Sequence, residues 1–173
     1  MDTEALKALQ QPLKERYRAQ PETAVVTLRA DGVLGADVSC SVQTGRALVE
    51  AGLHPATGGD GSLACSGDML LQALVACAGV TMQSVATSIG IAVSGSVEAE
   101  GDLDFRGTLA VSKDAVVGFR AIRLRFDIAS DATDDEIATL LRLTERYCVV
   151  YQTLAGNPSL STELTGAHSE TTG

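Results

Sequence analysis

The longest uncharged stretch of the chain predicts the central element of the fold. Residues 69–97 carry no charge, and apolar side chains occur on nearly every side of a helix drawn from about Gly67 to Ile89. A helix with this pattern is buried on most of its sides. Ser66 is a candidate N-cap residue, and Gly90 is suited to end the helix in a left-handed conformation.

The same stretch raises the question of a membrane span. Only Ala73 to Val80 is continuously apolar or small, because glutamine, serine and threonine residues interrupt the rest. A bilayer core requires about 20 predominantly apolar residues. The pattern therefore favours a buried helix in a protein that does not enter the membrane.

Alternating and β-rich runs predict strands on both sides of this helix. The stretch "AVVTLRADGVLGADVSCSV" reads as a hairpin that turns at Asp31-Gly32. Four further runs read as strands, and the third of them has the clearest alternation between apolar and charged positions. These four runs are "IAVSGSVEAE", "GTLAVSKD", "IRLRFDIAS" and, near the end, the short "SLSTEL".

A second helix is predicted from a capping box formed by Thr133 and Glu136, whose side chains can each bind the other residue's backbone amide. Its apolar stripe continues to Cys148, which the helical spacing keeps on the buried face. We expect this helix to run to about Leu154, ahead of Gly156.

Strands, a long helix, more strands, a second helix and a strand indicate an α+β domain. We expect a helical arm over residues 1–20, bent at Pro12 and packed on the domain or on a second subunit. The domain itself is expected over residues 21–165, and the polar residues 166–173 are expected to form a disordered tail.

Composition excludes several functions. The net charge is −9, and aromatic residues make up 3% of the chain with no tryptophan, which argues against nucleic-acid binding. There is no C-x-x-C pair, and His54 and His168 are the only histidines, so a zinc site is not expected. The glycine-rich "HPATGGDGS" lacks the ending of a phosphate-binding loop.

Four cysteines, at positions 40, 65, 77 and 148, are the candidate chemistry. The chain opens without an export signal, which predicts a cytoplasmic protein with reduced thiols. Most free cysteines are simply small apolar side chains. However, Cys77 and Cys148 lie on the inward faces of the two main helices, where a thiolate could attack a peroxide and a second thiol could form a disulfide with it. Cys40 and Cys65 are assigned to packing or the surface.

The stretch "GGDGSLACSGDMLLQALVACAGVTM" resembles the signature of the OsmC/Ohr family of osmotically inducible and organic hydroperoxide resistance proteins, in which a helix reads "LLxALxxC". The later "ERYCVVYQTL" resembles the second cysteine helix of that family, with Cys148 in the partner position. The resemblance covers about Ala24 to Leu164.

This resemblance implies an OsmC-like fold, with antiparallel sheets packed around long central helices in an intertwined homodimer. It also implies a peroxidase that reduces organic hydroperoxides, with Cys77 as the peroxidatic and Cys148 as the resolving thiol. Arg29 is the expected partner of the thiolate, and Arg46 is the second candidate. No cofactor is expected beyond an external dithiol reductant.

Two positions depart from the family pattern. Peroxidase members have a glutamate ten residues before the reactive cysteine, where this chain has Gly67, followed by Asp68, which can complement the helix dipole. A proline commonly follows the second cysteine, and here that residue is Val149. Two alternatives therefore stay open: a non-catalytic OsmC-like dimer that binds a small apolar ligand, and a stress-related interaction module with inert thiols.

Overall fold

The structure is a computed structural model that describes residues 2–5, 8, 10, 11, 15, 19, 20, 32–34, 40–44 and 47–165. Within these residues, four strands and the short 3₁₀ helix Pro55–Thr57 precede the long helix α1, and two strands and three helices follow it. In chain order the elements are β1 (Gly32–Leu34), β2 (Cys40–Thr44), β3 (Ala47–Gly52), β4 (Ala64–Cys65), α1 (Ser66–Ile89), β5 (Ser94–Leu103), α2 (Phe105–Thr108), β6 (Phe119–Ala129), α3 (Asp134–Tyr147) and α4 (Val149–Ala155).

The strands form two sheets. The first has the order β1-β2-β3-β4, in which β4 is parallel to β3 and the other neighbours are antiparallel. The second is the antiparallel hairpin β5-β6. Helices and sheets that follow one another along the chain in this way confirm the α+β prediction.

Helix α1 begins one residue earlier than predicted. Ser66 is its first residue and Cys65 occupies the N-cap position without a side-chain hydrogen bond, so the prediction of Ser66 as the N-cap is wrong. Gly90 ends the helix as predicted, because its φ of 78° suits glycine and its N–H donates to the carbonyls of Ala86 and Thr87.

Only one stripe of α1 is buried within the chain. Its buried residues are Leu74, Ala78, Met82, Val85 and Ala86, and part of this stripe forms the core with Leu140 of α3. The opposite side is open, and Val80 is 72% exposed. The prediction of a helix buried on most sides is therefore wrong for a single chain.

By length and composition, α1 is apolar enough to cross a membrane, a test that core helices of soluble proteins also pass. In this chain α1 packs against β5, α3 and α4. Its hydropathy alone therefore does not indicate a membrane span.

The β5-β6 hairpin confirms the clearest strand prediction. Ile122, Leu124, Phe126 and Ile128 of β6 face the helices, whereas the arginines between them are exposed. On the exposed face Arg125 pairs with Glu98 at 3.5 Å, and Arg123 pairs with Glu100 at 3.2 Å.

The predicted strand "GTLAVSKD" is wrong, because its first residues complete α2 and the rest form a turn. The Asp104 side chain caps α2 by accepting from the Arg106 amide. Gly107 lets the loop fold back on itself, since a Cβ atom at this position would lie 2.6 Å from the Ala115 carbonyl oxygen. Tertiary contacts of this kind leave no trace in local periodicity.

Helix α3 carries the predicted capping box, with the Thr133 amide donating to Glu136 Oε2 at 2.8 Å. The predicted continuation to Leu154 is wrong. Cys148 adopts an extended conformation with ψ of 109°, which ends α3 at Tyr147, and α4 then begins at Val149.

The structure describes part of each end of the chain. Thr3 of the N-terminal arm donates to the Thr87 carbonyl oxygen at 2.9 Å, so the arm contacts the end of α1 in its own chain. The predicted strand over residues 159–164 is wrong, because these residues are exposed and pair with none of the strands that the structure describes. The expected tail, 166–173, lies outside the described residues.

The predicted N-terminal hairpin turn is also displaced. Gly32 lies in β1 and pairs with Val42, so it does not form the turn. The antiparallel pairing of β1 with β2 runs to Leu34, which lies opposite Cys40. The first predicted run, 24–29, lies outside the described residues.

Candidate active site

Cys77 and Cys148 meet where the middle of α1 faces the break between α3 and α4. Cys77 is partly exposed, whereas Cys148 is only 1% exposed. The two side chains are close enough for each to act on the other's pKa, and both are free thiols. The structure thus brings together the two cysteines that the sequence singled out.

Cys148 is positioned by the buried stripe of α3. Leu140, Thr144 and Cys148 are spaced by four residues and are all buried. The Cys148 amide makes the last hydrogen bond of α3, to the Thr144 carbonyl oxygen at 2.9 Å. Its own carbonyl oxygen accepts from Gln152 at 2.9 Å, which opens α4. Cys148 therefore both ends one helix and begins the next.

The interruption between α3 and α4 leaves backbone amides at the start of α4 without partners within a helix. The first amides of a helix have no partner within it and carry partial positive charge. At the start of α4, the amides of Val149 and Val150 hydrogen-bond to Cys77. A continuous helix, as predicted from the sequence, would have bound these amides to its own carbonyl oxygens.

These contacts decide which thiol ionises. Partial burial acts to raise the pKa of Cys77, but the hydrogen bonds it receives outweigh burial. They come from the amides of Val150 and Val149, from the thiol of Cys148 and from the hydroxyl of Thr81. The pKa of Cys77 therefore lies below the ordinary value for a thiol.

Cys148 behaves in the opposite way. Its burial raises its pKa, and the amide of Tyr151 only partly offsets this. The hydrogen bond to Cys77 and the charge of that residue raise the pKa of Cys148 further. Because the thiolate is the nucleophile, these opposite pKa shifts favour Cys77 over Cys148 as the nucleophile.

Thr81 is the hydroxyl residue one turn after Cys77 on α1. Helical serine and threonine commonly bond back to the carbonyl four residues earlier. Thr81 instead directs its hydroxyl to Cys77, one turn before it on α1. The residues that do bond back, at 2.8 Å each, are Thr87, Ser88, Thr144 and Thr153.

Sequence reasoning missed Thr81, Val149 and Val150. The spacing of four residues between Cys77 and Thr81 was a usable signal, because such residues are neighbours on a helix. Val149 and Val150 gave no such signal, since they contribute backbone amides and not side chains.

The predicted arginine partners lie outside the described residues, both Arg29 and Arg46. Gly67, at the family's glutamate position, lies in the first turn of α1, about 15 Å of helix before Cys77. A Cβ atom on Gly67 would lie 3.4 Å from the Phe119 ring, which is close to van der Waals contact. Asp68 is exposed in the same turn, as expected for a residue that complements the helix dipole.

No metal site accompanies the thiols in the part of the chain that the structure describes. There, no three histidine, cysteine or acidic side chains lie close enough together to hold an ion.

Comparison with known proteins places this geometry in a family. The model of the family described as OsmC-like protein matches residues 59–163, a range that includes both cysteines. A comparison with curated protein sequences finds no match.

Solved structures share the fold at low identity. An OsmC-like protein from Mycoplasma pneumoniae is 20% identical, with a TM-score of 0.64 over 76% of this chain and 89% of its own. An organic hydroperoxide resistance protein from Elizabethkingia anophelis is 17% identical, with a TM-score of 0.58 over 77% and 91%. The protein OhrB of Bacillus subtilis, also named for organic hydroperoxide resistance, is 18% identical, with a TM-score of 0.51 over 76% and 93%. With the family match over more than half of its length, the chain belongs to the family of OsmC-like proteins.

Proposed function

We propose that this protein is a thiol-dependent peroxidase that reduces organic hydroperoxides. The observation that carries the proposal is the asymmetry of the cysteine pair: Cys77 is accessible and easily ionised, and Cys148 is buried, protonated and in contact with it. A peroxidatic thiol needs solvent access and thiolate character, and a resolving thiol needs to be adjacent.

In the first step the Cys77 thiolate attacks the terminal oxygen of the hydroperoxide. The O–O bond breaks as an S–O bond forms, so the cysteine becomes a sulfenic acid and the peroxide is reduced by two electrons. The leaving alkoxide takes a proton and departs as the alcohol. The amides of Val149 and Val150, with the Thr81 hydroxyl, hold the thiolate before attack.

In the second step Cys148 attacks the sulfenic sulfur of Cys77. An S–S bond forms, the S–O bond breaks, and the oxygen leaves as water after taking up the proton that Cys148 gives up. Once Cys77 is a sulfenic acid, its negative charge no longer raises the pKa of Cys148. Oxidation of Cys77 therefore favours ionisation of the resolving thiol.

The disulfide is returned to two thiols by an external dithiol, whose own sulfurs are oxidised in exchange. This cycle uses no cofactor, and it needs Cys77 to rest as a free thiol, so the reducing cytoplasm is the proposed location. An arginine near the first hairpin, Arg29 or else Arg46, is proposed as a further partner of the thiolate on the family resemblance alone.

A homodimer is part of the proposal. The open side of α1 carries exposed Leu70 and Val80, and it is free of charge from Met69 to the helix end. An apolar helix face of this length is stabilised by a second apolar surface. A second copy of the chain would provide that surface in a symmetric contact.

Two features support peroxidase activity in this particular chain. Structural neighbours of the same fold are named organic hydroperoxide resistance proteins. In addition, Val149 has a backbone N–H that proline, common at this position in the family, does not have. That amide is among the donors to Cys77 and adds to the stabilisation of its thiolate.

Steady-state consumption of an alkyl hydroperoxide with a dithiol reductant tests the proposal. We expect Cys77→Ser to abolish consumption. Cys148→Ser should allow a single turnover when the dithiol is withheld. Cys65→Ser, which changes the cysteine just before α1, is the matched control and should leave the rate unchanged. Consumption that persists in Cys77→Ser would exclude this mechanism, and a wild-type protein that consumes no hydroperoxide would favour a non-catalytic dimer that binds an apolar ligand.

A further inference from the structure

The interruption between α3 and α4 has no cause in the local sequence. Sharp breaks in a helix usually arise at proline, at glycine or where a side chain enters the ladder of backbone hydrogen bonds. Residues 145–151 read "ERYCVVY" and contain neither proline nor glycine. Cys148 nevertheless has ψ of 109°, which separates the two helices. The cause therefore lies in a contact that replaces a hydrogen bond of the ladder.

The side chain of Gln152 makes such a contact. Its Nε2 atom donates to the Glu145 carbonyl oxygen at 2.8 Å. In a continuous helix that oxygen would accept from the amide four residues later, which is the amide of Val149. Gln152 therefore occupies the acceptor that the Val149 amide would otherwise use. That amide is hydrogen-bonded to Cys77 instead.

The contact between Gln152 and Glu145 belongs only to the interrupted form. Hydrogen-bonding side chains of a continuous helix reach residues three or four positions away. Gln152 lies seven positions after Glu145, which is a rise of about 10 Å along a continuous helix. A contact that is made in one of two conformations shifts the balance toward that conformation. The hydrogen bond from Gln152 therefore stabilises the interrupted form against the continuous one.

We propose that Gln152 is a positioning residue for the nucleophile: it holds the Glu145 carbonyl oxygen and so keeps the Val149 amide directed at the sulfur of Cys77. Gln152 is exposed, so its side chain does not serve the packing of the core. The proposal rests on the proposed function in that Cys77 is the nucleophile, but its test uses no peroxide.

The same interruption directs further amides to the two sulfurs. The Val150 amide also hydrogen-bonds to Cys77, and the Tyr151 amide hydrogen-bonds to Cys148. In a continuous helix both amides would bind carbonyl oxygens of α3. One side-chain contact, made by Gln152, therefore bears on the surroundings of both thiols.

The backbone of Gln152 does not distinguish the two forms. Its amide donates to the Cys148 carbonyl oxygen at 2.9 Å, a bond between residues four positions apart that a continuous helix would also contain. A substitution of the side chain therefore removes the contact that separates the two forms and leaves the hydrogen bonds of α4 in place.

Gln152→Met tests the proposal, because methionine has an unbranched side chain of similar length and no hydrogen-bond donor. Alkylation by iodoacetamide is followed against pH, and peptide mapping assigns the rate to Cys77. We expect alkylation at neutral pH to be roughly two- to tenfold slower than in the wild-type protein, since the thiolate loses a hydrogen bond. The profile should move to higher pH, and an unchanged profile would overturn the proposal.

Thr153→Val is the matched control. The Thr153 hydroxyl also makes a side-chain hydrogen bond of 2.8 Å, but it donates to the Val149 carbonyl oxygen within α4. The change removes a hydrogen bond from the same helix and leaves the acceptor at Glu145 occupied. We expect its alkylation profile to match that of the wild-type protein. An equal shift in the two variants would assign the effect to a weakened α4 and would overturn the proposal.

A double variant separates positioning from a general loss of structure. Val149→Pro removes the amide in question, and the proline ring collides with the carbonyl four residues earlier, so this change keeps the helix interrupted without Gln152. Gln152→Met should therefore have no further effect in a protein that already carries Val149→Pro, whereas independent contributions would add. An additive shift would overturn the proposal.

Hydroperoxide consumption, measured in the same samples, reports separately on the proposed function. A protein that consumes no hydroperoxide but shows the expected alkylation profiles would refute the peroxidase and support the role of Gln152. A protein that consumes hydroperoxide with the same alkylation profile in Gln152→Met and the wild type would support the peroxidase and overturn the role of Gln152.

Discussion

Cys77 and Cys148 act on each other's pKa where α1 meets the α3–α4 break. This contact joins a partly exposed sulfur to a buried one, and it acts on the two pKa values in opposite directions. We therefore expect Cys77 to ionise first and Cys148 to ionise only after Cys77 has reacted.

Replacement of Thr81 by valine should make Cys77 less reactive at neutral pH. The change keeps the shape of the side chain and removes the hydroxyl that hydrogen-bonds to the sulfur. One hydrogen bond of about 0.5–1.5 kcal/mol corresponds to a thiolate population lower by roughly two- to tenfold. The measurement is the rate of alkylation of Cys77 against pH, which should move to higher pH. Thr81→Ser, which keeps the hydroxyl, should restore the original profile, and an identical shift in both variants would show that the hydroxyl has no role.

Val149→Pro should also raise the pH at which Cys77 becomes reactive. Val149 is the first residue of α4, where proline is tolerated, but proline has no N–H to donate to the sulfur. Val149→Ala keeps the amide and is the matched control. We expect the alkylation profile to move only in the proline variant, with far-ultraviolet circular dichroism unchanged in both. A shift of the same size in the alanine variant would assign the effect to the side chain.

The stability of the reduced protein should depend on pH through Cys77. Because its pKa is lowered on folding, the unfolded chain binds more protons than the folded one at pH values between the lowered pKa and the ordinary thiol pKa of about 8.5. Stability from Cys77 is therefore present above that window and is lost as pH falls through the lowered pKa.

Cys148 has a raised pKa, so its contribution is lost only as pH rises above the ordinary thiol value. Urea unfolding of the reduced protein should show that its free energy of unfolding, relative to that of Cys77→Ser, rises with pH between the lowered pKa of Cys77 and the ordinary thiol pKa. A difference between the two proteins that does not change with pH would contradict the lowered pKa.

Leu140 should be a main determinant of stability. It is completely buried between α1 and α3, where it contacts the core residues of the central helix. Leu140→Ala should lower the free energy of unfolding by about 2–5 kcal/mol, because a cavity replaces the side chain. The same change at Leu109, which is exposed, should cost far less. Similar urea midpoints for the two variants would show that Leu140 contributes no more to stability than an exposed leucine.

The sequence predicted those features that local pattern controls. The alternation around Phe126 predicted β6, and the pair Thr133 and Glu136 predicted the start of α3. Gly90 predicted the end of α1. The family resemblance, now supported by the family match, singled out Cys77 and Cys148.

The remaining features depend on contacts that local pattern does not record. The break at Cys148 lies within an unbroken helical stripe, and Val149 carries no sign of a helix start. The loop after α2 folds back through contacts of Gly107 with residues eight and nine positions later. An apolar helix such as α1 also gives no indication of which of its faces is covered by its own chain and which by another.

Peptide mapping of the reduced protein after one equivalent of an alkyl hydroperoxide tests the central claim most directly. We predict a single new disulfide between Cys77 and Cys148 of the same chain, formed together with one equivalent of the alcohol, and a sulfenic acid at Cys77 when Cys148 is replaced by serine. A Cys77 that stays a free thiol while Cys40 or Cys65 becomes oxidised would contradict this account.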